Sequence, residues 1–286
     1  MALRMILVGG VRLLLVGAVI SQASAQNLDR ACSDWATPFD LVSNFEIVIQ
    51  GQLGETNGLR FILDTGSSYS VIDRSVAERM GLHRRPGSVF NFDRKLAIEW
   101  ADVPQLRIGP IRVADVAMMV TRLADLSQFA EHADGIIGMD VLSRARKICI
   151  DYERRRISFQ LDMGRAKESS ADRTLVTPVI IQGISMRLLV DTGFEYVLLY
   201  RDRLRSALPH LQMEGEPRKA SIGRLQAVLV TLPEVQIAGP RKVTPVLLIE
   251  GAGKAGLDGV DGYLGPAALH AKRVELDFAA KTLRWQ

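Results

Sequence analysis

Short apolar segments, separated by glycine, proline and polar residues, recur along most of the chain. Phe61-Ile62-Leu63 and Leu188-Leu189-Val190 are continuous apolar segments, whereas Ile148–Tyr152 and Val274–Phe278 alternate apolar with polar positions. Continuous short segments are typical of strands buried on both faces, and alternation is typical of strands buried on one face. The pattern therefore predicts a mainly β protein.

Two segments predict short helices instead. Ser70–Met80 has Ser70 and Asp73 as alternative N-terminal caps, and it precedes Gly81, a residue type that commonly ends helices. Arg201–Leu208 ends before a proline, which cannot continue a helix. Each segment follows an Asp-Thr-Gly sequence, so we expect one short helix in each of two similar β units.

The chain contains the same landmarks twice, in the same order. Asp-Thr-Gly occurs at 64–66 and at 191–193, and an Asp-Gly-x-x-Gly sequence occurs at 134–138 and at 261–265. Asp64 and Gly138 are 74 residues apart, and so are Asp191 and Gly265. Equal spacing of two sets of landmarks supports a tandem duplication, and a long internal repeat changes how every motif is interpreted.

The N-terminus has the features of an export signal. Arg4 and Arg12 supply positive charge, Leu13–Ile20 is apolar, and Ala23-Ser24-Ala25 is a small-residue cleavage site. The alternative is a retained membrane anchor, but the apolar segment is shorter than the roughly 20 residues that span a bilayer. We expect cleavage after position 25, an exported protein (periplasmic or secreted), and no stable membrane insertion after cleavage.

Composition excludes some classes of function. The net charge of +4 is small for 286 residues and does not indicate a nucleic-acid partner. The four histidines are scattered without metal-ligand spacing, so no metal and no cofactor are expected. A G-x-G-x-x-G sequence at 251–256 is not followed by a helix-forming segment, which argues against a dinucleotide site.

Cys32 and Cys149 are the chain's two cysteines. In an exported protein an even number permits a disulfide, which would tie the mature N-terminus to the strand at 147–151. Two buried thiols are the alternative, and the sequence leaves both open.

The repeated Asp-Thr-Gly sequences are the candidate chemistry. Asp64 and Asp191 each follow a buried strand, and the glycine two positions later allows a sharp turn. A single such loop is also compatible with a structural turn. Two loops in equivalent positions of a repeated unit would meet at an axis between the units and place both carboxyl groups side by side. Two such groups share a proton, so one can act as a base on water while the other donates to a carbonyl.

With these two loops the sequence resembles the retropepsin-like and pepsin-like aspartic peptidases. The resemblance is carried by residues 62–72 and 135–142, and more weakly by their counterparts in the second half, and it extends over 44–161 and 174–286. It implies a mainly β fold of two homologous β-barrel lobes of acid-protease type, related by a pseudo-twofold axis, with Asp64 and Asp191 as the catalytic pair.

The resemblance also implies supporting roles around the pair. The residues expected to support the two loops are Thr65, Gly66, Ser67, Thr192 and Gly193. Thr65 and Thr192 are expected to hydrogen-bond across the axis. A β-hairpin flap is expected near residues 89–100, with a second one at 220–230.

We expect a signal peptide at 1–25, an N-terminal lobe at 26–161, a polar linker at 162–173 and a C-terminal lobe at 174–286. The expected function is an aspartic endopeptidase that acts as a monomer on a peptide or protein substrate.

The second loop continues with Phe194 and Glu195 where the first has Ser67 and Ser68. Phe194 cannot support the carboxyl group with a hydroxyl, and Glu195 introduces a third carboxylate. A catalytically weak or inactive peptide-binding module with the same fold is therefore the alternative.

Overall fold

The structure is a computed structural model that describes residues 36–91, 94–125, 132–161, 174–222, 225–237, 240–250 and 259–286. The expected signal peptide, the expected linker at 162–173, Cys32 and the glycine-rich segment at 251–258 lie outside the described residues. Cys149 is disulfide-bonded, and Cys32 is the only other cysteine in the sequence.

The first half of the chain contains eleven described strands. They are β1 (Thr37–Pro38), β2 (Asp40–Val42), β3 (Glu46–Leu53), β4 (Thr56–Leu63), β5 (Val71–Asp73), β6 (Arg84–Asn91), β7 (Arg94–Ile108), β8 (Ile111–Thr121), β9 (Gly135–Ile137), β10 (Ala145–Asp151) and β11 (Arg156–Leu161). The helices are α1 (Arg74–Arg79) and α2 (Met139–Leu142), with a 3-10 turn at Leu123–Asp125.

The second half repeats this series in a shorter form. Its strands are β12 (Val176–Ile181), β13 (Ile184–Val190), β14 (Val197–Tyr200), β15 (Glu214–Ile222), β16 (Leu225–Gln236), β17 (Lys242–Ile249), β18 (Gly262–Leu264), β19 (Arg273–Asp277) and β20 (Thr282–Trp285). The helical segments are α3 (Arg201–Ala207) and a 3-10 turn at Pro266–Leu269.

Each half forms one sheet, and the two sheets have the same strand order except that β2 is an additional edge strand of the first. The N-terminal sheet runs β2-β3-β4-β9-β5-β8-β7-β6, and the C-terminal sheet runs β12-β13-β18-β14-β17-β16-β15. Additional pairings, β3 with β7 and β12 with β16, curl each sheet toward a closed barrel. The predicted mainly β fold of two similar barrel lobes is confirmed.

Strand β4 shows why these segments fold as they do. Leu59, Phe61 and Leu63 point into the main core, whereas Ile62 points to the other face and packs in a smaller cluster with Val48. Alternate side chains of a strand point to opposite faces, so a continuous apolar segment is stable only where both faces are covered. The strand that leads to Asp64 is therefore rigid and buried.

The observed helices differ from the predicted ones in their bounds and in their number. Helix α1 begins at Arg74 rather than Ser70, because residues 71–73 form β5 between β8 and β9. Asp73 is the cap, and its side chain accepts a hydrogen bond from the Ser75 amide. Gly81 follows the helix with a φ of +63°. In addition to the predicted helix of each lobe, a helical turn follows Gly138 and another follows Gly265.

A five-stranded sheet joins the lobes in the order β1-β11-β10-β19-β20. β10 and β19 pair antiparallel across the boundary, with Ile148 opposite Leu276 and Cys149 opposite Glu275. The main hydrophobic core is continuous and includes residues of both lobes. The two lobes are thus arranged about an approximate twofold axis that passes between β10 and β19.

Buried charges stabilise this joint. Arg273 on β19 is 8% exposed, and its Nε lies 2.8 Å from the Oδ2 atom of Asp151 on β10. Lys147 Nζ lies 2.9 Å from Asp277 Oδ2 across the same pair of strands. Removing one partner of a buried ion pair leaves the other charge desolvated, so each pair constrains how the lobes meet.

We predict that Arg273→Met lowers the free energy of unfolding by about 3–5 kcal/mol, because it leaves the Asp151 carboxylate buried without its main partner. The measurement is urea denaturation at pH 7. The control is Arg241→Met, which removes a cation 3.2 Å from Glu234 in an exposed ion pair of the second lobe and should cost at most about 1 kcal/mol. Similar losses in both variants would contradict the role given to Arg273.

Candidate active site

Two loops meet where the lobes face each other, and each one begins at the end of a buried strand. β4 ends at Leu63 and β13 at Val190, and the next residues are Asp64 and Asp191. The Asp64 amide donates to the Ile137 carbonyl at 3.0 Å, and the Asp191 amide donates to the Leu264 carbonyl at 3.0 Å. The short strands β9 and β18 pair parallel with β4 and β13 and so hold both loops from below.

Gly138 and Gly265 end these crossing strands where a neighbouring backbone comes very close. A Cβ atom at Gly138 would lie 2.6 Å from the Tyr69 carbonyl oxygen, and one at Gly265 would collide with the Phe194 carbonyl. Because any larger residue would push the loops away, the Asp-Gly-x-x-Gly landmarks of the sequence have a steric explanation.

Thr65 and Thr192 bind the two loops to each other. The Thr65 hydroxyl donates to the Val190 carbonyl at 2.7 Å, and the Thr192 hydroxyl donates to the Leu63 carbonyl at 2.7 Å. Each hydroxyl oxygen also accepts the backbone N–H of the other threonine at 3.1 Å. Both threonines are 3% exposed, so four buried hydrogen bonds fix one loop against the other.

The carboxyl groups of Asp64 and Asp191 hydrogen-bond to each other. A Cβ atom on Gly66 would collide with the Asp191 carboxyl group, and one on Gly193 would lie 2.8 Å from the Asp64 carboxyl carbon. Glycine at both positions therefore lets each loop reach the carboxyl group of the other. Both aspartates remain partly exposed.

Backbone amides donate to both carboxyl groups. Asp64 Oδ1 accepts the N–H groups of Gly66 at 2.8 Å and Ser67 at 3.0 Å. Asp191 Oδ1 accepts that of Gly193 at 2.9 Å, and the Gly66 amide also acts on Asp191. Burial raises the pKa of Asp64, while these amides and the bond from Asp191 act against the rise. The pKa of Asp191 lies well above its usual value because of burial and the negative charge of Asp64. The two groups therefore share one proton, and their surroundings favour its residence on Asp191.

The residues after the two motifs differ as the sequence indicates. The Ser67 hydroxyl donates to the Tyr69 carbonyl at 2.8 Å, so Ser67 supports Asp64 through its backbone N–H. Phe194 packs against the apolar cluster around Leu198. The Tyr196 hydroxyl donates to the Glu195 carboxylate, and burial together with the charge of Glu195 raises the pKa of that phenol. Glu195 thus engages its neighbour in the chain.

A second asymmetry lies beneath the first loop. The Ser70 hydroxyl donates to Asp140 Oδ1 at 2.7 Å, the Ser70 amide donates to Asp140 Oδ2 at 3.0 Å, and the Gly138 amide donates to the Ser70 hydroxyl at 3.1 Å. The equivalent positions of the second lobe, 127 residues later as Thr192 is from Thr65, hold Val197 and Ala267. The first loop is thus supported by polar groups and the second by apolar ones.

Two further residues act on the pair, and sequence reasoning did not single them out as site residues. Tyr263 lies on β18, its pKa is raised mainly by burial, and it also senses the charges of Asp191 and Asp64. Glu46, at the start of β3, is 4% exposed and senses the charge of Asp64. The sequence does contain a signal that could have indicated Glu46, because a charged residue stands there immediately before an apolar strand.

The expected flap regions form hairpins. β6 and β7 make one at residues 84–108, and β15 and β16 make the other at 214–236. The indole ring of Trp100 packs on Gly87 within the first hairpin and edge-on against Tyr69, with ring centroids 5.1 Å apart. A cavity of about 360 Å³ opens beside this aromatic pair. Its lining residues are Tyr69, Arg85, Trp100, Val113, Val116, Ala117 and Asp140.

Part of the first lobe matches a known protein family. Residues 49–141 match the family model described as aspartyl protease. This match includes Asp64, the first hairpin and the crossing strand β9. The resemblance to the aspartic peptidases is confirmed over these residues, all of which belong to the first lobe. No curated protein matches the chain significantly.

Among solved structures, the chain is similar to a retropepsin-like aspartic protease from Rickettsia conorii. The identity is 17%, the match covers 43% of this chain and 86% of the other, and the TM-score is 0.30.

The described part of the chain contains no group of three or more His, Cys, Asp or Glu side chains arranged to hold a metal ion. None of the helices within those same residues has the length and apolar character needed to span a bilayer.

We predict that Thr192→Val destabilises the protein by about 2–4 kcal/mol, because it leaves the Leu63 carbonyl and the Thr65 amide buried without partners. Thr192→Ser is the matched control, since it keeps the hydroxyl and should lose about 1 kcal/mol or less. Chemical denaturation of both variants makes the comparison. Equal losses would show that packing of the methyl group, rather than hydrogen bonding, holds the loops together.

We also predict that Asp191→Asn stabilises the fold progressively as pH rises from about 4 to 7. The native state raises the pKa of Asp191, so the wild type is penalised once the unfolded chain ionises, and the penalty is absent below the unfolded pKa of about 3.9. Each pKa unit corresponds to about 1.4 kcal/mol, and asparagine cannot ionise. Unfolding free energies at pH 4 and pH 7 test this, and a constant difference between variant and wild type would contradict it.

Proposed function

We propose that the protein is an aspartic endopeptidase that hydrolyses peptide bonds with water activated between Asp64 and Asp191. The observation that carries the proposal is the hydrogen-bonded pair of carboxyl groups of Asp64 and Asp191, whose surroundings favour the shared proton on Asp191. The match of residues 49–141 to the aspartyl protease family supports it.

The charge distribution suits a general acid–base mechanism. Asp64 accepts a proton from a bound water as the water oxygen attacks the carbonyl carbon of the peptide bond. Asp191 donates its proton to the carbonyl oxygen, which gives a neutral gem-diol. Asp64 then passes its proton to the leaving nitrogen, the C–N bond breaks, and a hydroxyl proton of the gem-diol returns to Asp191. The pair is restored to its initial protonation state.

The surroundings of the pair favour a peptide or protein as substrate. In this proposal the two hairpins act as flaps over an extended peptide lying between the lobes. The cavity beside Tyr69 and Trp100 has a mainly apolar lining and a volume typical of small-ligand pockets. It therefore accepts a large apolar side chain of the substrate, with Arg85 as a cationic group in its wall.

Location and assembly are part of the proposal. The N-terminal sequence supports export to the periplasm or the exterior, with no stable membrane insertion after signal cleavage. One chain supplies both Asp-Thr-Gly loops, so the enzyme acts as a monomer and needs neither metal nor cofactor.

We predict that Asp64→Asn and Asp191→Asn each reduce peptide cleavage by at least about 10²–10⁴-fold, because each removes one half of the acid–base pair. The measurement is cleavage of a peptide library by the purified mature protein between about pH 3 and pH 7, read by mass spectrometry. The control is Asp40→Asn, since Asp40 is an exposed carboxylate in the same lobe and its removal should leave cleavage unchanged.

Full activity in either variant would contradict the shared pair. If the folded wild type cleaves nothing across the library, the peptidase proposal fails. The alternative of a peptide-binding module then takes its place.

A further inference from the structure

Glu46 lies directly across from Asp64 in the first lobe. Strands β3 and β4 pair antiparallel, with Val48 opposite Ile62. The same register, continued by two residues, places Glu46 opposite Asp64. Residues two apart on a strand share a face, so Glu46 lies on the face of Val48, and Asp64 lies on the face of Ile62.

The surroundings of Glu46 are apolar. Val42 on β2 is its direct partner in the sheet, and Val48 and Ile62 belong to one small hydrophobic cluster against which Val42 packs. The Glu46 side chain carries an Oε2 atom that is buried and has no hydrogen-bond partner among the described residues. A buried carboxyl oxygen without a partner is costly and rare in native proteins, so it calls for an explanation.

The second lobe has no carboxyl group at this place. β12 pairs with β13 so that Val176 is opposite Leu189. Continuing this register by two residues places Thr174 opposite Asp191. Glu46 is thus not a requirement of the lobe architecture, because the lobe with the same strand order is built without it.

The charge that acts on Glu46 comes from Asp64. Burial and the negative charge of Asp64 raise the pKa of Glu46 to about 7. Val42 faces Glu46 from β2. The loop after β4 contributes Asp64, the titratable group that acts on Glu46. The interaction between two charges is mutual, so an ionised Glu46 opposes negative charge on Asp64 and, through the shared proton, further ionisation of the Asp64–Asp191 pair.

We propose that Glu46 is a positioning residue of the Asp64–Asp191 pair, and that as a carboxylate it keeps the shared proton on the pair and so maintains peptide hydrolysis at neutral and mildly alkaline pH. The proposal rests on the peptidase function proposed above. Glu46 acts through Asp64 and does not itself contact the reacting atoms.

The two limbs of the pH profile are affected differently. At acid pH Glu46 is protonated and neutral, so the first ionisation of the pair, which generates the active form, is unaffected. At higher pH the pair loses activity when its remaining proton leaves. An adjacent carboxylate makes that second loss harder, so it moves the alkaline limb to higher pH.

The first experiment compares the pH dependence of kcat/KM in the wild type and in Glu46→Gln, which is neutral at every pH. We expect equal values near pH 5 and an alkaline limb displaced to lower pH by about one unit in the variant. The matched control is Glu55→Gln, the same substitution at an exposed position in the turn of the β3–β4 hairpin, and its profile should follow the wild type. An unmoved alkaline limb in Glu46→Gln overturns the proposal.

The second experiment does not depend on proteolysis or on the folding of Glu46→Gln. The ¹³C resonance of the Glu46 carboxyl group is titrated by NMR in the wild type and in Asp64→Asn. We expect the pKa of Glu46 to fall when the Asp64 charge is removed, and an unchanged pKa overturns the proposal. If Glu46 and Asp64 are coupled but the wild type cleaves no peptide, the proposed function fails while the coupling stands.

Discussion

Two carboxyl groups of this protein share a proton at contact distance, and most of the structure can be understood from that constraint. Anionic groups so close repel each other, and burial increases the repulsion. The loops must therefore be held by other forces. The reciprocal hydrogen bonds of Thr65 and Thr192 supply one of them, and glycine at positions 66 and 193 removes the side chains that would separate the loops.

The loops are held in place only because the lobes behind them are rigid. Each aspartate follows a strand covered on both faces, and a crossing strand that ends in glycine supports each loop from below. At the far end of the axis, β10 and β19 join the lobes through backbone pairing and the buried pair of Arg273 with Asp151. The site is thus constrained both at the loops and at the interlobe sheet.

The symmetry of the lobes is broken where it affects the proton. Asp64 accepts two amides of its own loop and rests on the Ser70–Asp140 hydrogen bonds, whereas Asp191 is followed by Phe194 and rests on apolar positions. A strictly symmetric pair would share the proton equally. Different surroundings favour one protonation state, with the acid on one carboxyl group and the base on the other.

The sequence by itself determined the mainly β class, the two similar lobes and the pairing of the Asp-Thr-Gly loops, and it offered Asp73 as one of two possible caps of α1. These depend on local patterning and on repeated spacing, which are readable along one dimension. Tertiary structure decided which of the buried carboxyl groups lie together. Glu195 is adjacent in sequence to the second motif but bonds Tyr196, whereas Glu46 is distant in sequence and lies opposite Asp64 because of strand register. Register and side-chain direction depend on how strands pair across the sheet, and a sequence pattern does not specify them alone.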